Sequence, residues 1–231
     1  MVKKRLVVLT GAGVSAESGI KTFRDSDGLW EGYDVTEVAS PEGWRKNPAL
    51  VLNFYNERRK NVKEVNPNAA HFGLAALEKD FDVTIITQNI DNLHERAGST
   101  RVIHLHVEIF KMRSEKSLSP SYDIQEDIQL GDRAPDGGQL RPDIVWFGEA
   151  VPMIEKAAQI SAEADIFVVV GTSMVVYPAA GLIDQVPVFH PKYIIDTRIP
   201  YVRPMRNITT IEKPATEGVW ELLDLLRKSN D

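Results

Sequence analysis

Residues 7–24 read Val-Val-Leu-Thr-Gly-Ala-Gly-Val-Ser-Ala-Glu-Ser-Gly-Ile-Lys-Thr-Phe-Arg, and this stretch decides the fold class. The short apolar run Leu6–Leu9 is bounded by a turn signal, which predicts a buried parallel strand. Gly11 and Gly13 lack Cβ atoms, so the chain can turn sharply there and a ligand can approach the backbone. Ser15 suits the first turn of a following helix. A strand, a glycine-rich turn and a helix N-terminus together predict an anion site, and a glycine turn without a ligand is the alternative.

The residues around this turn narrow the kind of ligand. A Walker loop needs Lys-Ser or Lys-Thr after its last glycine, but Ser18-Gly19-Ile20 stand here. A dinucleotide dehydrogenase places an acidic residue at the end of a second strand about 20 residues on. Residues 22–30 are instead polar and rich in turn formers. A dinucleotide therefore remains the expected ligand, whereas hydride transfer is the weaker hypothesis.

Composition limits the class of protein. The 231 residues suit one α/β domain with an insertion or two small domains, and a hydrophobic fraction of 43% supports a sizeable core. The net charge of −6 argues against nucleic-acid binding, and the absence of cysteine excludes disulfides and thiolate metal sites. The sequence holds no apolar run of about 18 residues, and we expect Met1–Arg5 to lead into the first strand rather than into a signal peptide. We expect a soluble, cytoplasmic monomer with no membrane partner.

Apolar, β-branched runs alternate with segments of helical period along most of the chain. The predicted strands are Leu6–Leu9, Val83–Thr87, Val102–Leu105, Ile166–Val170, Val186–Phe189, Tyr193–Ile195 and Ile208–Ile211. The predicted helices are Ala69–Lys79, Asn92–Ala97, Met153–Ala164, Ala179–Asp184 and Thr216–Lys228. This order predicts an α/β fold with a doubly wound, parallel, Rossmann-like sheet.

Two stretches break the alternation and predict a smaller inserted lobe. Residues 29–67 contain the helical pattern Pro48–Val62, and residues 111–142 are rich in Ser, Asp, Gly and Pro without a clear period. We therefore expect a helical module and a loop and strand module in this lobe. Residues 1–28, 68–110 and 143–231 are expected to form the nucleotide-binding domain.

Polar residues follow the predicted strand Val83–Thr87, at the edge of the sheet where strand carboxyl ends face a ligand. Asn89 and Asp91 alternate with Ile90, which places both side chains on the same side. The alternative is that Asp91 only caps a helix that begins at Asn92. The two interpretations are compatible.

Two further strand ends carry candidate site residues. His104 and His106 point to the same side of a predicted strand by its period of two, and a histidine titrates near neutral pH, as a general base requires. A lone histidine at such a place is more often structural. Residues 171–173, Gly-Thr-Ser, form a second turn of small residues that suits the other wall of a nucleotide site.

These motifs together resemble the sirtuins, the NAD-dependent protein-lysine deacylases. The matching segments are Gly-Ala-Gly-x-Ser-x-Glu-Ser-Gly-Ile-x-Thr-Phe-Arg at 11–24, Thr-Gln-Asn-Ile-Asp at 87–91, His-Leu-His at 104–106, Val-Trp-Phe-Gly-Glu-Ala-Val-Pro at 145–152 and Gly-Thr-Ser at 171–173. The five motifs come in the order of the family and span most of the chain.

The resemblance implies NAD as cofactor and acylated lysine side chains of proteins or peptides as substrate. It assigns catalysis to His106 as general base, with Asn89 and Asp91 near the nicotinamide. Phe23 would cover the reacting ribose, Arg24 would hold the closed cofactor loop, and the backbones of Phe147 and Gly148 would pair with the peptide as an added strand. The implied cofactor residues are Gly11, Ala12, Gly13, Ser15, Glu17, Thr22, Phe23, Arg24, Gln88, Asn89, Ile90, Asp91, Gly171, Thr172, Ser173, Asp196 and Ala215. The implied substrate residues are Tyr55, Arg58, Val145, Phe147, Gly148 and Glu149.

The resemblance also implies the reaction. The acyl oxygen of the modified lysine attacks C1′ of the nicotinamide ribose and expels nicotinamide. The general base then activates a ribose hydroxyl that attacks the acyl carbon. Water completes the reaction, which yields free lysine, nicotinamide and O-acyl-ADP-ribose.

The chain departs from the family at several positions. Sirtuins usually bind a structural zinc through two cysteine pairs, which would fall within residues 112–140; no cysteine is present here, so no zinc is expected. Val107 replaces the usual glycine after the catalytic histidine, and its β-branch restricts the backbone and adds bulk beside the acyl channel. Lys21 replaces a proline, and Asp196 stands where an asparagine commonly contacts the adenosine ribose.

The acyl preference is predicted from the helical pattern of residues 48–62. Tyr55 and Arg58 are three apart and share a helix face, as in the Tyr-x-x-Arg motif of class III sirtuins, which prefer succinyl- and malonyl-lysine. An exposed basic turn, Arg58-Arg59-Lys60, is the alternative. The leading hypothesis is a desuccinylase and demalonylase with some deacetylase activity. The alternatives are a module that binds NAD and acyl-lysine with weak turnover because of Val107, and a mono-ADP-ribosyltransferase.

Overall fold

The computed structural model describes residues 2–22, 29–30 and 32–228, and these form two compact units. The larger unit comprises Met1–Gly19, Asn66–Leu105 and Pro152–Asp231, and the smaller unit comprises Ile20–Val65 and His106–Val151. The smaller unit therefore begins before the predicted range 29–67 and ends two residues short of it, and it extends beyond the predicted range 111–142 at both ends. In particular, it includes residues 143–151, which contain most of the acyl-lysine motif.

The strands of the described residues are β1 (Arg5–Thr10), β2 (Leu29–Trp30), β3 (Tyr33–Asp34), β4 (Asp82–Thr87), β5 (Val102–His104), β6 (Lys111–Ser114), β7 (Ser121–Asp123), β8 (Leu140–Pro142), β9 (Ile166–Val170), β10 (Lys192–Ile195) and β11 (Ile208–Ile211). The α-helices are α1 (Val35–Val38), α2 (Pro41–Lys46), α3 (Pro48–Glu64), α4 (Ala69–Ala76), α5 (Leu93–Arg96), α6 (Ile154–Ala162) and α7 (Ala215–Lys228). Short 3-10 helices span Ala12–Val14, Ala16–Ser18, Leu77–Lys79 and Ala179–Gln185.

The larger unit contains the predicted parallel sheet. Its strand order is β11-β10-β9-β1-β4-β5, and every neighbouring pair is parallel. The chain leaves β1 toward β4 and β5 on one side and reaches β9, β10 and β11 on the other. Ligands of such sheets bind beyond the carboxyl ends of the strands where the order reverses. The α/β, Rossmann-like prediction is confirmed, and the reversal lies at β1 and β9.

The core explains why these runs became strands and helices. All residues of β9 and all but the first of β1 are buried, as expected for strands covered on both faces. Helix α7 places Val219, Leu222, Leu223 and Leu226 on one face, each at most 3% exposed, as the sequence predicts. Gly73 of α4 lets the two helices pack closely, because a Cβ there would lie 2.7 Å from Cγ1 of Val219.

Two element predictions in the larger unit are wrong. Val186–Phe189 is not a strand: it follows a 3-10 helix, Pro187 supplies no N–H for a ladder, and its carbonyl accepts the His190 N–H in a turn. The predicted helix Ala179–Asp184 is the 3-10 helix itself. No helix of the described residues has the length and apolar character needed to cross a membrane.

The smaller unit contains a sheet that could not be predicted from residues 111–142, because their apolar and polar residues do not alternate regularly. Strands β7, β6 and β8 form an antiparallel sheet in that order. Helix α3 begins where Asn47 accepts the Leu50 N–H at 3.1 Å and Pro48 fits the first turn, and it extends two residues beyond the predicted Val62. The helical and strand modules are both present in this unit.

Hydrogen bonds and ion pairs stabilise the sheet of the smaller unit. Ser114 Oγ donates to Asp136 Oδ1 at 2.8 Å, and the same oxygen accepts the Gly138 N–H at 2.8 Å. Ser114 Oγ also accepts the Lys116 N–H at 3.1 Å. Nε of Arg113, whose side chain is buried, pairs with Asp143 Oδ1 at 3.0 Å. These contacts connect β6 to the turn before β8, and none of them involves a cysteine or a metal ligand of the thiolate type.

We expect the fold of this unit to be independent of metal, because the chain has no cysteine to hold zinc. Purified protein should contain no stoichiometric zinc, and a chelator should leave the melting temperature unchanged. Ser114→Ala, by contrast, should lower the free energy of unfolding by about 1 kcal/mol through the lost hydrogen bonds. Elemental analysis and thermal denaturation with and without EDTA test this; one zinc per chain, or unfolding by EDTA, would contradict it.

Candidate active site

The two glycine turns of the larger unit pack directly against each other. Gly11 donates its N–H to the Val170 carbonyl at 3.1 Å, and Gly13 donates to the Gly171 carbonyl at 2.8 Å. A Cβ on Gly13 would lie 2.7 Å from Cα of Gly171, and one on Gly11 would lie 2.7 Å from Cβ of Thr172. Glycine is therefore required here by contact between two backbones, rather than by the approach of a ligand alone.

The predicted helix after the first turn is not formed. Two 3-10 turns, Ala12–Val14 and Ala16–Ser18, replace it, and the chain then leaves at Gly19 with φ +96°. A dipole of a long helix is thus not available to an anion. Glu17, expected near the cofactor, accepts hydrogen bonds from the hydroxyl and N–H of Thr216 at 2.8 and 3.3 Å and so fixes the start of α7 beside Ala215.

Backbone N–H groups still offer an anion site at these turns. The N–H groups of Gly11, Gly13, Val14 and Ser15 all donate to backbone carbonyls. Those of Ala12, Thr172 and Ser173 have no acceptor within the described residues. Three N–H donors on two touching turns at the carboxyl ends of β1 and β9 suit a phosphate group.

Ser15 is the centre of a buried hydrogen-bond network. Its hydroxyl donates to Asp91 Oδ2 at 3.1 Å and accepts from Asn89 Nδ2 at 3.1 Å. Nε2 of His71 lies 3.4 Å from the same oxygen. The expectation that Asn89 and Asp91 share one side is therefore met, because both side chains reach one hydroxyl. Both side chains are at most 8% exposed.

Asp91 also serves the helix that follows. Its Oδ1 accepts the Leu93 N–H at 3.1 Å, and α5 begins at Leu93 rather than at Asn92. Burial raises the pKa of this carboxyl, and the hydrogen bonds from Leu93 and Ser15 oppose the shift. Asp91 therefore contacts both the first residue of α5 and Ser15, and its role toward a cofactor stays a prediction.

His71 and His94 extend the network and were not found from the sequence. Burial lowers the pKa of His71 to about 4, and burial together with the neighbouring His71 and His104 lowers that of His94 well below its ordinary value. Both rings are therefore neutral at pH 7, with centroids 4.9 Å apart. Nδ1 of His71 lies 3.2 Å from the Asn68 backbone nitrogen and 3.1 Å from Asn68 Oδ1, and Nε2 faces Ser15.

The remaining predicted cofactor residues of the larger unit lie at strand ends. Gln88 Nε2 donates to Thr172 Oγ1 at 3.1 Å, which links the ends of β4 and β9. Ile90 and Ser173 are partly exposed. Asp196 follows β10 directly and accepts the Arg198 N–H at 3.1 Å. These positions all belong to the carboxyl edge of the parallel sheet.

His104 and His106 do not share a strand, contrary to their predicted spacing. Strand β5 ends at His104. Its Nδ1 is hydrogen-bonded to the Asn89 carbonyl at 3.0 Å, and its Nε2 is hydrogen-bonded to the Glu95 carboxylate at 2.8 Å. His106 belongs to the smaller unit, where its carbonyl accepts the Val145 N–H at 3.2 Å. His104 is therefore held in place by its contacts, and His106 lies beside the first residue of the acyl-lysine motif.

Val107 occupies the left-handed backbone region, with φ +62°. A β-branched residue is strained there, which gives a physical reason for the glycine that sirtuins usually carry.

Val107→Gly is expected to raise the free energy of unfolding by up to about 1 kcal/mol, since relief of about 1–2 kcal/mol of strain exceeds the entropy that glycine adds to the unfolded chain. Turnover should rise as well, because backbone freedom returns beside His106. Urea unfolding and nicotinamide release measure the two effects. Val107→Ala is the control, because it removes bulk but keeps the Cβ; equal gains in both variants would locate the cause in side-chain size.

Tyr55 and Arg58 lie one turn apart on α3, as predicted. Tyr55 is fully buried, and Arg58 is partly exposed with its guanidinium carbon 4.4 Å from the centre of the Trp30 ring. The alternative, in which residues 58–60 form an exposed basic turn, is wrong. Arg59 is 1% exposed and donates to the Ile109 carbonyl at 3.0 Å. Only Lys60 of the three is a surface residue.

The acyl-lysine motif is fixed by a buried ion cluster around Glu149. The Glu149 carboxylate pairs with Arg141 at 2.9 Å and accepts the Trp146 N–H at 2.8 Å. Burial would raise the pKa of Glu149, but these contacts hold it below its ordinary value. Glu149, expected to touch substrate, thus shapes the segment that carries Phe147 and Gly148.

The backbone of this segment is only partly available for a peptide. Phe147 donates its N–H to the Ala39 carbonyl at 3.0 Å, and its side chain is 47% exposed. Gly148 has φ +88°, and its backbone makes no hydrogen bond within the described residues. Thr22 is partly buried in the smaller unit, whereas Phe23 and Arg24 lie outside the described residues.

Comparisons with known proteins identify the family. A model of the Sir2 family, the sirtuins, matches residues 11–178. An NAD-dependent protein deacylase of Bacteroides thetaiotaomicron is 55% identical over 229 residues, covering 96% of this chain and 98% of that protein. One of Helicobacter pylori strain 26695 is 52% identical over 223 residues, covering 96% and 97%. The solved structure of a Sir2 homologue in complex with NAD has a TM-score of 0.87 at 38% identity and covers 99% of this chain and 91% of that one. The chain therefore belongs to the Sir2 family.

Proposed function

We propose that this chain is an NAD-dependent protein-lysine deacylase that prefers acidic acyl groups, above all succinyl and malonyl, and retains some deacetylase activity. The reaction is supported by the relatives named as NAD-dependent protein deacylases, which match nearly the whole chain at more than half identity. The acyl preference is supported by one observation: Arg58 lies one turn after the buried Tyr55 on α3, and its guanidinium carbon is 4.4 Å from the centre of the Trp30 ring.

NAD fits the residues of the larger unit. The Ala12, Thr172 and Ser173 N–H groups would hold its pyrophosphate, and Asp196 would accept from an adenosine ribose hydroxyl. Bound NAD supplies an electrophilic ribose carbon with nicotinamide as the leaving group. Asn89, fixed by Ser15, would orient the carboxamide of the nicotinamide, and the neutral His71 would keep the Ser15 hydroxyl aimed at Asp91.

The proton transfer falls to the smaller unit. His106 would act as general base and take the proton of a ribose hydroxyl of bound NAD, which makes that hydroxyl a nucleophile for the acyl group. The peptide lies along the open backbone of Gly148, and Tyr55 and Arg58 bind the distal carboxylate of the acyl chain. A guanidinium binds a carboxylate through two parallel hydrogen bonds, and a phenol adds a third donor.

Mass spectrometry of acyl-lysine peptides incubated with NAD tests the proposal. Succinyl-, malonyl-, acetyl- and longer acyl-lysine peptides of one sequence should yield free lysine, nicotinamide and O-acyl-ADP-ribose, fastest for the two acidic groups. ADP-ribose attached to the peptide would favour a mono-ADP-ribosyltransferase instead. If no nicotinamide were released, the alternative of a module that binds NAD and acyl-lysine without turnover would be favoured, and the strained backbone at Val107 would be its cause.

A further inference from the structure

An acidic residue ends the strand that follows the second glycine turn. Strand β9 leads into Gly171-Thr172-Ser173, a 3-10 helix crosses over, and β10 returns parallel beside β9, with Ile195 opposite Val170. Asp196 follows β10 directly. In dinucleotide-binding units of this order, an acid at the end of the second strand accepts from the 2′-hydroxyl of the adenosine ribose. The acid that the sequence does not show at such a place after the first turn is thus present after the second.

The backbone places this acid beside the turn that would bind phosphate. The Gly171 N–H donates to the Ile195 carbonyl at 2.9 Å, so the turn is joined directly to the residue before Asp196. The Asp196 N–H donates to the Ile211 carbonyl at 3.4 Å, which connects it to β11. Asp196 is 7% exposed. Its position is therefore set by the parallel sheet of the larger unit.

The carboxylate of Asp196 is held by the residues that follow it. Its Oδ1 accepts the Arg198 N–H at 3.1 Å, and the Thr197 hydroxyl donates to the same oxygen at 3.5 Å. An ionised carboxylate only accepts hydrogen bonds, and its two oxygens can accept from several donors at once. It can therefore accept from a ribose hydroxyl in addition to these contacts, but it has nothing to donate.

A phosphate on the ribose is the wrong partner for such a group. Phosphate oxygens are acceptors, so a carboxylate offers them no hydrogen bond, and two negative groups in contact repel each other. Sites that bind the 2′-phosphate of NADP use an arginine instead. Arg198 is exposed, whereas Asp196 is buried at the strand end itself. The acid, rather than the arginine, thus occupies the position nearest the turn.

We infer that Asp196 is a specificity-determining residue that selects NAD against NADP, because it accepts from the 2′-hydroxyl of the adenosine ribose and repels a phosphate at that place. This inference rests on the placement of NAD in the proposed function. An asparagine, the residue common at this position in sirtuins, carries no charge and adds an NH2 donor. The aspartate of this chain therefore excludes the phosphate through its charge.

Asp196→Asn tests the inference with ADP-ribose and 2′-phospho-ADP-ribose as probes, since neither carries nicotinamide and both report binding without turnover. In calorimetric titrations of the unmodified protein, the phosphorylated probe should bind about a hundred-fold more weakly, or worse. Asparagine has the shape of aspartate, and its oxygen can still accept the Arg198 N–H. In this variant the difference should fall to about ten-fold or less, mainly because 2′-phospho-ADP-ribose binds more tightly.

Two further variants separate charge from other causes. Asp224→Asn removes the same charge from an exposed position of α7, so it should leave the ratio of the two affinities unchanged. Asp196→Ala removes the charge and also makes space. If Asp196→Ala admitted the phosphorylated probe and Asp196→Asn did not, space rather than charge would exclude it, and the inference would be wrong.

The remaining outcomes separate the inference from the proposed function. Binding of both probes within about ten-fold of each other in the unmodified protein would overturn the role of Asp196 alone. Tighter binding of 2′-phospho-ADP-ribose would also overturn it and would make Arg198 the determining residue. Absence of any ADP-ribose binding would refute the placement of NAD itself, and the inference with it. None of these results bears on the acyl preference, which the peptide assays measure.

Discussion

Replacing His106 with alanine is expected to lower deacylation by about 10²-fold or more, the usual scale for a lost general base. NAD binding should remain nearly unchanged, because the N–H donors of the two glycine turns and the Ser15 network belong to the larger unit. Exchange of labelled nicotinamide into NAD should persist, since the nicotinamide leaves before the ribose hydroxyl needs a base. Stopped assays of exchange and of free lysine separate these steps.

His104 provides the control for this experiment. Its ring bonds the Asn89 carbonyl and the Glu95 carboxylate, so His104→Asn should affect stability and the placement of Asn89 more than proton transfer. A pH profile distinguishes the two: the His106 variant should lose the ascending limb of the rate near neutral pH, and the His104 variant should keep it. Wild-type rates in the His106 variant would transfer the role to His104 or support a binding module.

The sheet of the larger unit could be predicted because the apolar residues of each strand indicate, without reference to the rest of the chain, that the strand is buried. Ile166–Val170 is apolar at every position, which suits a strand covered on both faces, and the structure buries all five residues. The run Val186–Phe189 is also apolar, but it contains Pro187, which has no N–H to donate to a neighbouring strand. Composition alone thus failed where a single missing N–H decided the outcome.

The smaller sheet could not be predicted because its strands are short and bury charge. Strands β6 and β8 have four and three residues, and both carry a buried arginine, Arg113 at 5% and Arg141 at 4% exposure. A buried charge breaks the alternation of apolar and polar residues by which half-buried strands are recognised. Such residues are buried only with partners, here Asp143 and Glu149, and sequence does not show that pairing.

The arrangement of the candidate site residues could be predicted where these residues are close in sequence, but not where they meet only in space. Asn89 and Asp91 are two apart, so a period of two placed them correctly. His71 is 56 positions from Ser15, and its contact with that hydroxyl has no local signal. The pattern Asn68-x-x-His71 indicates a helix start, which is present as a capping box, but says nothing about the far side of the ring.

Arg58→Met is expected to lower kcat/KM for succinyl-lysine by about ten- to a hundred-fold. A hydrogen bond to a charged group contributes roughly 1.5–3 kcal/mol, and 1.4 kcal/mol corresponds to a factor of ten. Methionine keeps an apolar side chain of similar length against Trp30 and Phe54, the rings that lie 4.4 and 5.8 Å from the guanidinium carbon. Turnover of acetyl-lysine should be unchanged or higher, because its acyl group has no carboxylate for the guanidinium to bind.

Neighbouring positions of the same helix supply the controls for Arg58. Lys60→Met removes an exposed cation that pairs with Glu57 at 3.0 Å, so it should alter neither substrate. Arg59→Met removes a buried guanidinium that donates to the Ile109 carbonyl, so it should lower the melting temperature and reduce both rates together. Tyr55→Phe should lower kcat/KM for succinyl-lysine, as Arg58→Met does, but more weakly, since one neutral donor is lost.

Equal losses on succinyl- and acetyl-lysine in Arg58→Met, as expected for Arg59→Met, would contradict the prediction. Arg58 would then stabilise α3 rather than bind the acyl group, and the acidic-acyl preference would be wrong.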